Sequence, residues 1–474
     1  MEFKRELTLF DVINIVIGSI VGADIYIASA LTAGLVGPFA IMIWVIAAIL
    51  ASVIALVFAY CSYYVPMVGG PYAYVSAAFD DFYGFLTGWS MWIAEMISLP
   101  VFAIAFVRYL EYLKPLGYFQ EIVIKALFIV VLTTVNILGV KAAGRVNDVL
   151  TIIKLLPLMM LIGVGTAFLI THPAVLAANY LPFVPLGFSG FGTSLVLVFW
   201  AYAGFELGTL PAAEMQNPRR TIPRAIAIGM AIVMILYLST NFVVYGTVNW
   251  KVLATSNAPL ILVGTILMGS AGALIMMVGA LVSVSGSDES GTLGTARLGY
   301  AMSIDGLFPK AFSIIHPTYG TPVVALVVQG CIAFILSIYS DLTQLISFAV
   351  FNLAFSFLLT CCALVVLRDS SKKALPGQNF LPWVGILISL YLLFATSIFD
   401  KLIGGLVILL GIPIYLFFSP KQDIRHLKEM FLSEEAIFFR QMERKNRYLA
   451  NFIQIIHRGY QKIRGLFRDS SQNQ

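Results

Sequence analysis

The sequence predicts an all-α polytopic membrane protein with twelve transmembrane helices, and three observations lead there. Of 474 residues, 60% are hydrophobic and only 11% are charged, with a mean hydropathy of +0.92. That composition cannot build a water-facing globular surface. Twelve apolar segments follow one another along the chain, each close to the roughly 20 residues a helix needs to cross a bilayer. Basic residues also sort by side of the membrane. With the N-terminus inside, twelve basic residues in the N-terminus and loops and eleven in the tail are cytoplasmic, against five outside (Arg108, Lys114, Lys125, Lys251 and Lys401). The asymmetry predicts a multi-pass plasma-membrane protein with both termini cytoplasmic.

In order, the segments are 9–34, 37–64, 82–110, 120–138, 148–171, 191–213, 222–247, 271–303, 321–339, 343–367, 380–398 and 401–418. The first loosely imitates a secretory signal, with Lys4-Arg5 before an apolar run and Ala28-Ser29-Ala30 after it. Asp11, Asn14 and Asp24 interrupt that run and argue against one. The third carries Glu95. The fifth carries Lys154, on one helix face with Asn147 and Thr151. Before the eighth lies 250–270, broken by Asn257-Ala258-Pro259, which reads as a re-entrant or surface cap. The eighth holds Ser283, Ser285, Ser287, Asp288, Glu289 and Ser290. Asp288 and Glu289, adjacent and so about 100° apart around a helix, cannot share a face. The expected division is a transmembrane core over 1–420 and a basic cytoplasmic tail over 421–474. The tail is either a solvated helix with disordered ends or a helix lying on anionic lipid, at about 1 kcal/mol per basic residue near the surface. Cys61, Cys331, Cys361 and Cys362 fall in apolar runs without metal-ligand spacing and read as packing residues.

Two stretches break the pattern. Gly18-Ser19-Ile20-Val21-Gly22-Ala23-Asp24-Ile25 puts two glycines and a carboxylate in the middle of the first span. Glycine there costs helix propensity, and a bare Asp costs roughly 2.5 to 3.5 kcal/mol on insertion scales. Such a break survives only where the backbone is buried in protein or lines a cavity. Phe199-Trp200-Ala201-Tyr202-Ala203-Gly204-Phe205-Glu206-Leu207-Gly208 repeats the arrangement in the sixth span. Matched interruptions in two halves point to inverted repeats with a substrate site between them. Repeat one is expected over about 9–171 and repeat two over about 191–367, with two further helices at 380–418.

At this point the residues resemble a known family, the amino acid-polyamine-organocation (APC) transporters. Gly18 to Tyr26 is similar to its G-S-I-I-G-S-G-I-F, with Asp24 replacing the last glycine. Gly204-Phe205-Glu206, Glu214 and Asn217-Pro218-Arg219-Arg220-Thr221-Ile222-Pro223-Arg224-Ala225-Ile226 resemble its G-F-E and E-x-x-N-P-x-R-x-I-P-x-A-I. Ala296-Arg297, Tyr300-Ala301, Asp305-Gly306, Pro309 and Gly320-Thr321-Pro322 resemble its later signatures. The likeness spans about 7–420 and is specific in its order rather than in any one motif.

The resemblance implies a LeuT-like, five-plus-five inverted-repeat fold with helices 1 and 6 broken. It implies that the breaks, here Ile20, Val21, Gly22, Ala23, Asp24, Ala203 and Gly204, hold the substrate's carboxylate and α-amine. Trp200 matches the family's aromatic gate and Glu206 its acidic gating or proton-linked group. Lys154 matches a lysine standing where sodium-coupled relatives hold a metal ion, bridging the first and eighth helices. Asp24 resists this assignment, since it would repel a substrate carboxylate. Either the substrate lacks a carboxylate or Asp24 points away toward a helper.

Intramembrane acids are functional by default. Five of them (Asp24, Glu95, Glu206, Asp288 and Glu289) stand against Lys154. Glu95 is expected at the substrate, and Glu206, Asp288 and Glu289 in gating or proton coupling. The imbalance asks for a cation, and so for a carrier of basic amino acids or polyamines driven by protons or exchange. A neutral amino acid carrier and a non-transporting sensor stay open. An enzyme is the weakest reading, because His172, His316, His426 and His457 lie outside the spans and no nucleophile and base are grouped. The expected partners are a small-molecule substrate, protons and the bilayer, with no nucleic acid, metal or cofactor.

Overall fold

In the computed structural model, the structure describes residues 7–67, 69–138, 140–210, 212, 215–368 and 375–419, with backbone alone for 140–150. The tail, Glu214, the Lys372-Lys373 pair and the side chain of Asn147 lie outside the described residues. Apart from one isolated bridge pairing Leu7 with Met215, the described residues form no strand. Nine helical stretches among them are long and apolar enough to cross a membrane, so the protein is a multi-pass helical membrane protein.

The helices are α1 (Leu9–Ile20), α2 (Asp24–Val36), α3 (Ala40–Tyr64), α4 (Pro71–Ala78), α5 (Asp81–Leu110), α6 (Tyr118–Leu138), α7 (Val140–Thr171) and α8 (Pro173–Tyr180). They continue as α9 (Phe191–Tyr202), α10 (Pro218–Thr247), α11 (Trp250–Leu253), α12 (Pro259–Ile304), α13 (Val323–Tyr339), α14 (Leu342–Leu367), α15 (Leu381–Ala395) and α16 (Ile398–Phe418). Local chemistry sets several of their starts. Thr8 and Asp11 form a reciprocal capping box on α1. Asp80 accepts from the Phe82 and Tyr83 amides to begin α5, and Asp341 accepts from Thr343 and Gln344 to begin α14.

Both expected breaks are present. After Ile20 the chain extends at Val21 (φ −75°, ψ 95°) and resumes as α2 at Asp24. After Tyr202 it extends at Ala203 (φ −71°, ψ 162°), turns left-handed at Gly204 (φ 114°) and continues as a 3₁₀ turn, Phe205–Thr209. The sixth segment is therefore helical only to Tyr202. The expected start of the eighth at 271 falls just past a reversal of the chain, and the 259–268 part of the expected cap is helical. Helix α12 begins at Pro259 and folds back at Gly269 (φ 64°, ψ −151°), so that a Cβ on Gly264 would lie 2.8 Å from Gly272 O. Residues 259–268 form one arm of a helical hairpin packed against the bundle, with Leu260 and Val263 fully buried.

Helices α1 and α9 lie at the centre. Helix α1 packs on α10, α7, α12 and the 3₁₀ turn, while α9 packs on α3 and α2. Helix α5 packs on α14 and α12, and α12 on α7. Helices α6 and α16 are mostly exposed at the periphery.

Candidate substrate and coupling site at the helix breaks

The two breaks meet backbone to backbone. A Cβ on Gly204 would lie 2.9 Å from the carbonyl carbon and oxygen of Ser19, so this position needs both the left-handed conformation and the missing side chain of glycine. At Gly22 a Cβ would meet Ser287 Oγ at 2.7 Å. Glycine here admits α12 as well as interrupting a helix.

An unwound helix leaves amides and carbonyls without helical partners, and each must be matched in an apolar interior. At the first break the protein's own side chains do this. The Gly22 amide donates to Asp24 Oδ1 at 2.9 Å. Lys154 Nζ donates to Gly18 O at 2.6 Å and reaches Ser287 Oγ at 3.5 Å. Ser287 Oγ donates to Gly18 O (2.9 Å) or Val21 O (2.8 Å), and Ser283 Oγ to Val21 O (3.1 Å). The Tyr237 hydroxyl lies 3.0 Å from Ile20 O and also hydrogen-bonds Asp24 Oδ2. Lys154, with no exposed surface, thus ties α7 to α1 and α12.

The second break repeats the device. The Gly204 amide donates to Glu206 Oε2 at 3.0 Å, again an acid two residues downstream of the glycine. Glu95 on α5 is within electrostatic reach of Glu206, whose Oε1 has no hydrogen-bond partner. Trp200, 6% exposed, donates from Nε1 to Ser98 Oγ at 3.3 Å and lies tilted against Phe102. Glu289 is within electrostatic reach of Lys154 and Arg297. Asp288 faces away from this centre, into a small cavity between α5, α6, α12 and α13.

Three residues the sequence reading did not single out, Tyr237, Trp44 and Ser98, belong here. Tyr237 on α10 hydrogen-bonds Asp24, and with Trp44 and Tyr202 it forms an aromatic cluster with centroids 5.3 to 5.8 Å apart. Ser98 holds the Trp200 indole. Ser19 Oγ and the hydroxyls of Tyr26 and Tyr202 are buried without protein partners. The available signal was a polar group inside an apolar span, which needs a partner.

A multi-pass helical bundle whose centre holds two facing, polar helix breaks is built as a membrane carrier. Comparison with known proteins makes this particular. Residues 7–423 match the amino acid permease family, and the chain belongs to that family. It is 27% identical over 450 residues to a branched-chain amino acid permease of Bacillus subtilis (strain 168), covering 89% of this chain and 94% of the relative. It is 27% identical to a serine/threonine exchanger of the same organism, covering 87% and 96%. It is 30% identical to the cystine/glutamate transporter of Homo sapiens, covering 88% and 86%. These names describe transporters rather than enzymes and support amino acid transport, while their substrates span several side-chain classes.

Proposed function

We propose that this protein is a secondary active transporter of amine-bearing cations, polyamines and basic amino acids, working by alternating access through a twelve-span, five-plus-five inverted-repeat fold in the plasma membrane with both termini cytoplasmic. Support for the layout comes from reciprocal packing. Helix α1 sits on α10 as α9 sits on α3, and α5 on α14 as α12 on α7. Twelve spans follow if the first apolar stretch is divided at the Gly37–Phe39 turn and the two shorter apolar helices, Val323–Tyr339 and Leu381–Ala395, also cross.

The observation that carries the substrate reading is the bond from the Gly22 amide to Asp24. The amide that would greet a substrate carboxylate already holds one. A substrate without a carboxylate, or with one held elsewhere, fits beside Asp24. Its ammonium would find Asp24, the aromatic faces of Trp44, Tyr202 and Tyr237, and the unpartnered hydroxyl oxygens of Ser19, Tyr26 and Tyr202. In this reading Trp200 closes the site, Lys154 holds α1 in place, and the Glu95–Glu206 pair carries the exchangeable proton. Glu289 adds negative charge beside Lys154.

A competition panel on purified protein in liposomes tests the reading. Putrescine, agmatine and arginine should be taken up or displace one another better than leucine or alanine. Neutral amino acids competing while the amines do nothing would sink the cationic assignment. A pH gradient across the same liposomes separates proton coupling from exchange.

A further inference from the structure

Asp288 takes no part in the arrangement above. One position round α12 from Glu289, it lines a small cavity together with Leu99, Leu132, Thr133, Thr292 and Gln329. The cavity has room for about one water-sized occupant. Asp288 is 3% exposed and Gln329 1%, and Asp288 Oδ1 and Gln329 Oε1 both lack a donor. The orientation of the amide is fixed chemically. Gln329 Nε2 donates to Thr292 O at 2.7 Å, and the reverse orientation would set two acceptors against each other. Two oxygen acceptors, one of them a carboxylate, therefore line one buried cavity with no protein group donating to either.

An unpaired carboxylate and an unmatched amide oxygen in an apolar interior are both costly. While Asp288 is ionised neither can satisfy the other, and a small positive ion would satisfy both. Hard cations take oxygen ligands, and with Thr133 and Thr292 the lining has four residues that carry side-chain oxygen. One carboxylate balances one charge, which favours a monovalent ion over a divalent one. Gly330 lets the fourth group come near: a Cβ there would meet Thr133 Oγ1 at 2.8 Å. We propose that the cavity between α5, α6, α12 and α13 is a binding site for a monovalent cation of the size of Na⁺, ligated by Asp288 and Gln329 and separate from the space filled by Lys154.

The test needs no substrate, so it stands or falls independently of the amine reading. Purified full-length protein in nanodiscs at fixed pH is assayed for ²²Na⁺ binding, with Na⁺, Li⁺, K⁺ and choline as competitors. Saturable binding displaced by Na⁺ but not by choline is expected. Asp288→Asn should reduce it to background, and Thr133→Val, isosteric and half-buried, should weaken it by about 10-fold or more, the usual cost of disturbing a metal's surroundings. Asp24→Asn should retain it. Absence of saturable binding, unchanged affinity in Asp288→Asn, or loss in Asp24→Asn with retention in Asp288→Asn would each overturn the proposal. Should Asp288→Asn not fold, Thr133→Val and Gly330→Ala decide, and unchanged Na⁺ affinity in both overturns it. A signal that follows pH without distinguishing Na⁺ from choline overturns it in favour of a proton.

Discussion

Lys154→Met removes an ammonium while keeping most of the apolar stem. Lys154 Nζ makes one short bond, to Gly18 O at 2.6 Å, and a marginal one to Ser287 Oγ at 3.5 Å. A hydrogen bond to a charged group contributes about 1.5–3 kcal/mol. Gly18 O is also within 2.9 Å of Ser287 Oγ and is not orphaned by the change, so the lower part of the range applies, about 1.5–2 kcal/mol. At about 1.4 kcal/mol per tenfold, the balance between this packing of α1 and any arrangement in which it leaves α7 and α12 shifts roughly 10- to 30-fold. Net uptake into proteoliposomes should fall by about tenfold and lose most of its response to pH, while binding on the same preparation stays within a few-fold. Lys154→Arg should not rescue, because a planar fork cannot replace a point donor in so close a space. Uptake and pH response equal to wild type in Lys154→Met would refute the reasoning and leave Lys154 as filler.

Other outcomes follow from the same geometry. Asp24→Gly frees the Gly22 amide and should shift preference from amines toward carboxylate-bearing substrates; an unchanged competition panel makes Asp24 helix scaffolding. Tyr237→Phe is isosteric but strips a donor from Asp24 and Ile20 O, at a cost of about 1–3 kcal/mol, read as a lower thermal-inactivation midpoint and a raised KM. Gly204→Ala must fit a methyl 2.9 Å from the Ser19 backbone at φ 114°; it should abolish uptake at normal membrane insertion, checked by surface labelling. Trp200→Phe loses the bond to Ser98, worth about 1 kcal/mol, and should weaken transport several-fold less than Trp200→Ala.

The breaks were legible because glycine and a carboxylate inside an apolar run violate local rules, and such violations concentrate where the backbone has a special task. That Lys154 meets α1 and α12 came from family likeness, since nothing in periodicity joins residues 136 positions apart. The alternatives at Asp24 needed Tyr237, which sits in an ordinary span and differs from its neighbours by one hydroxyl. For Asp288 and Glu289 the helical angle said that they diverge but not which faced the centre; packing of α5, α6 and α13 decided that. Asn257-Ala258-Pro259 announced a re-entrant or surface cap over 250–270, but nothing beside Gly269 marked where the chain reverses. Hydropathy sees composition along a segment and is blind to a reversal between two equally apolar arms.

The contact of Gly204 with the Ser19 backbone has a mechanical consequence. No side chain lies between the two hinges to act as a cushion, so rotation of one half-helix displaces the other directly. Each hinge also carries its own carboxylate on its own amide, so charge travels with the moving backbone instead of being exposed by it. Bending at one hinge would therefore load the other.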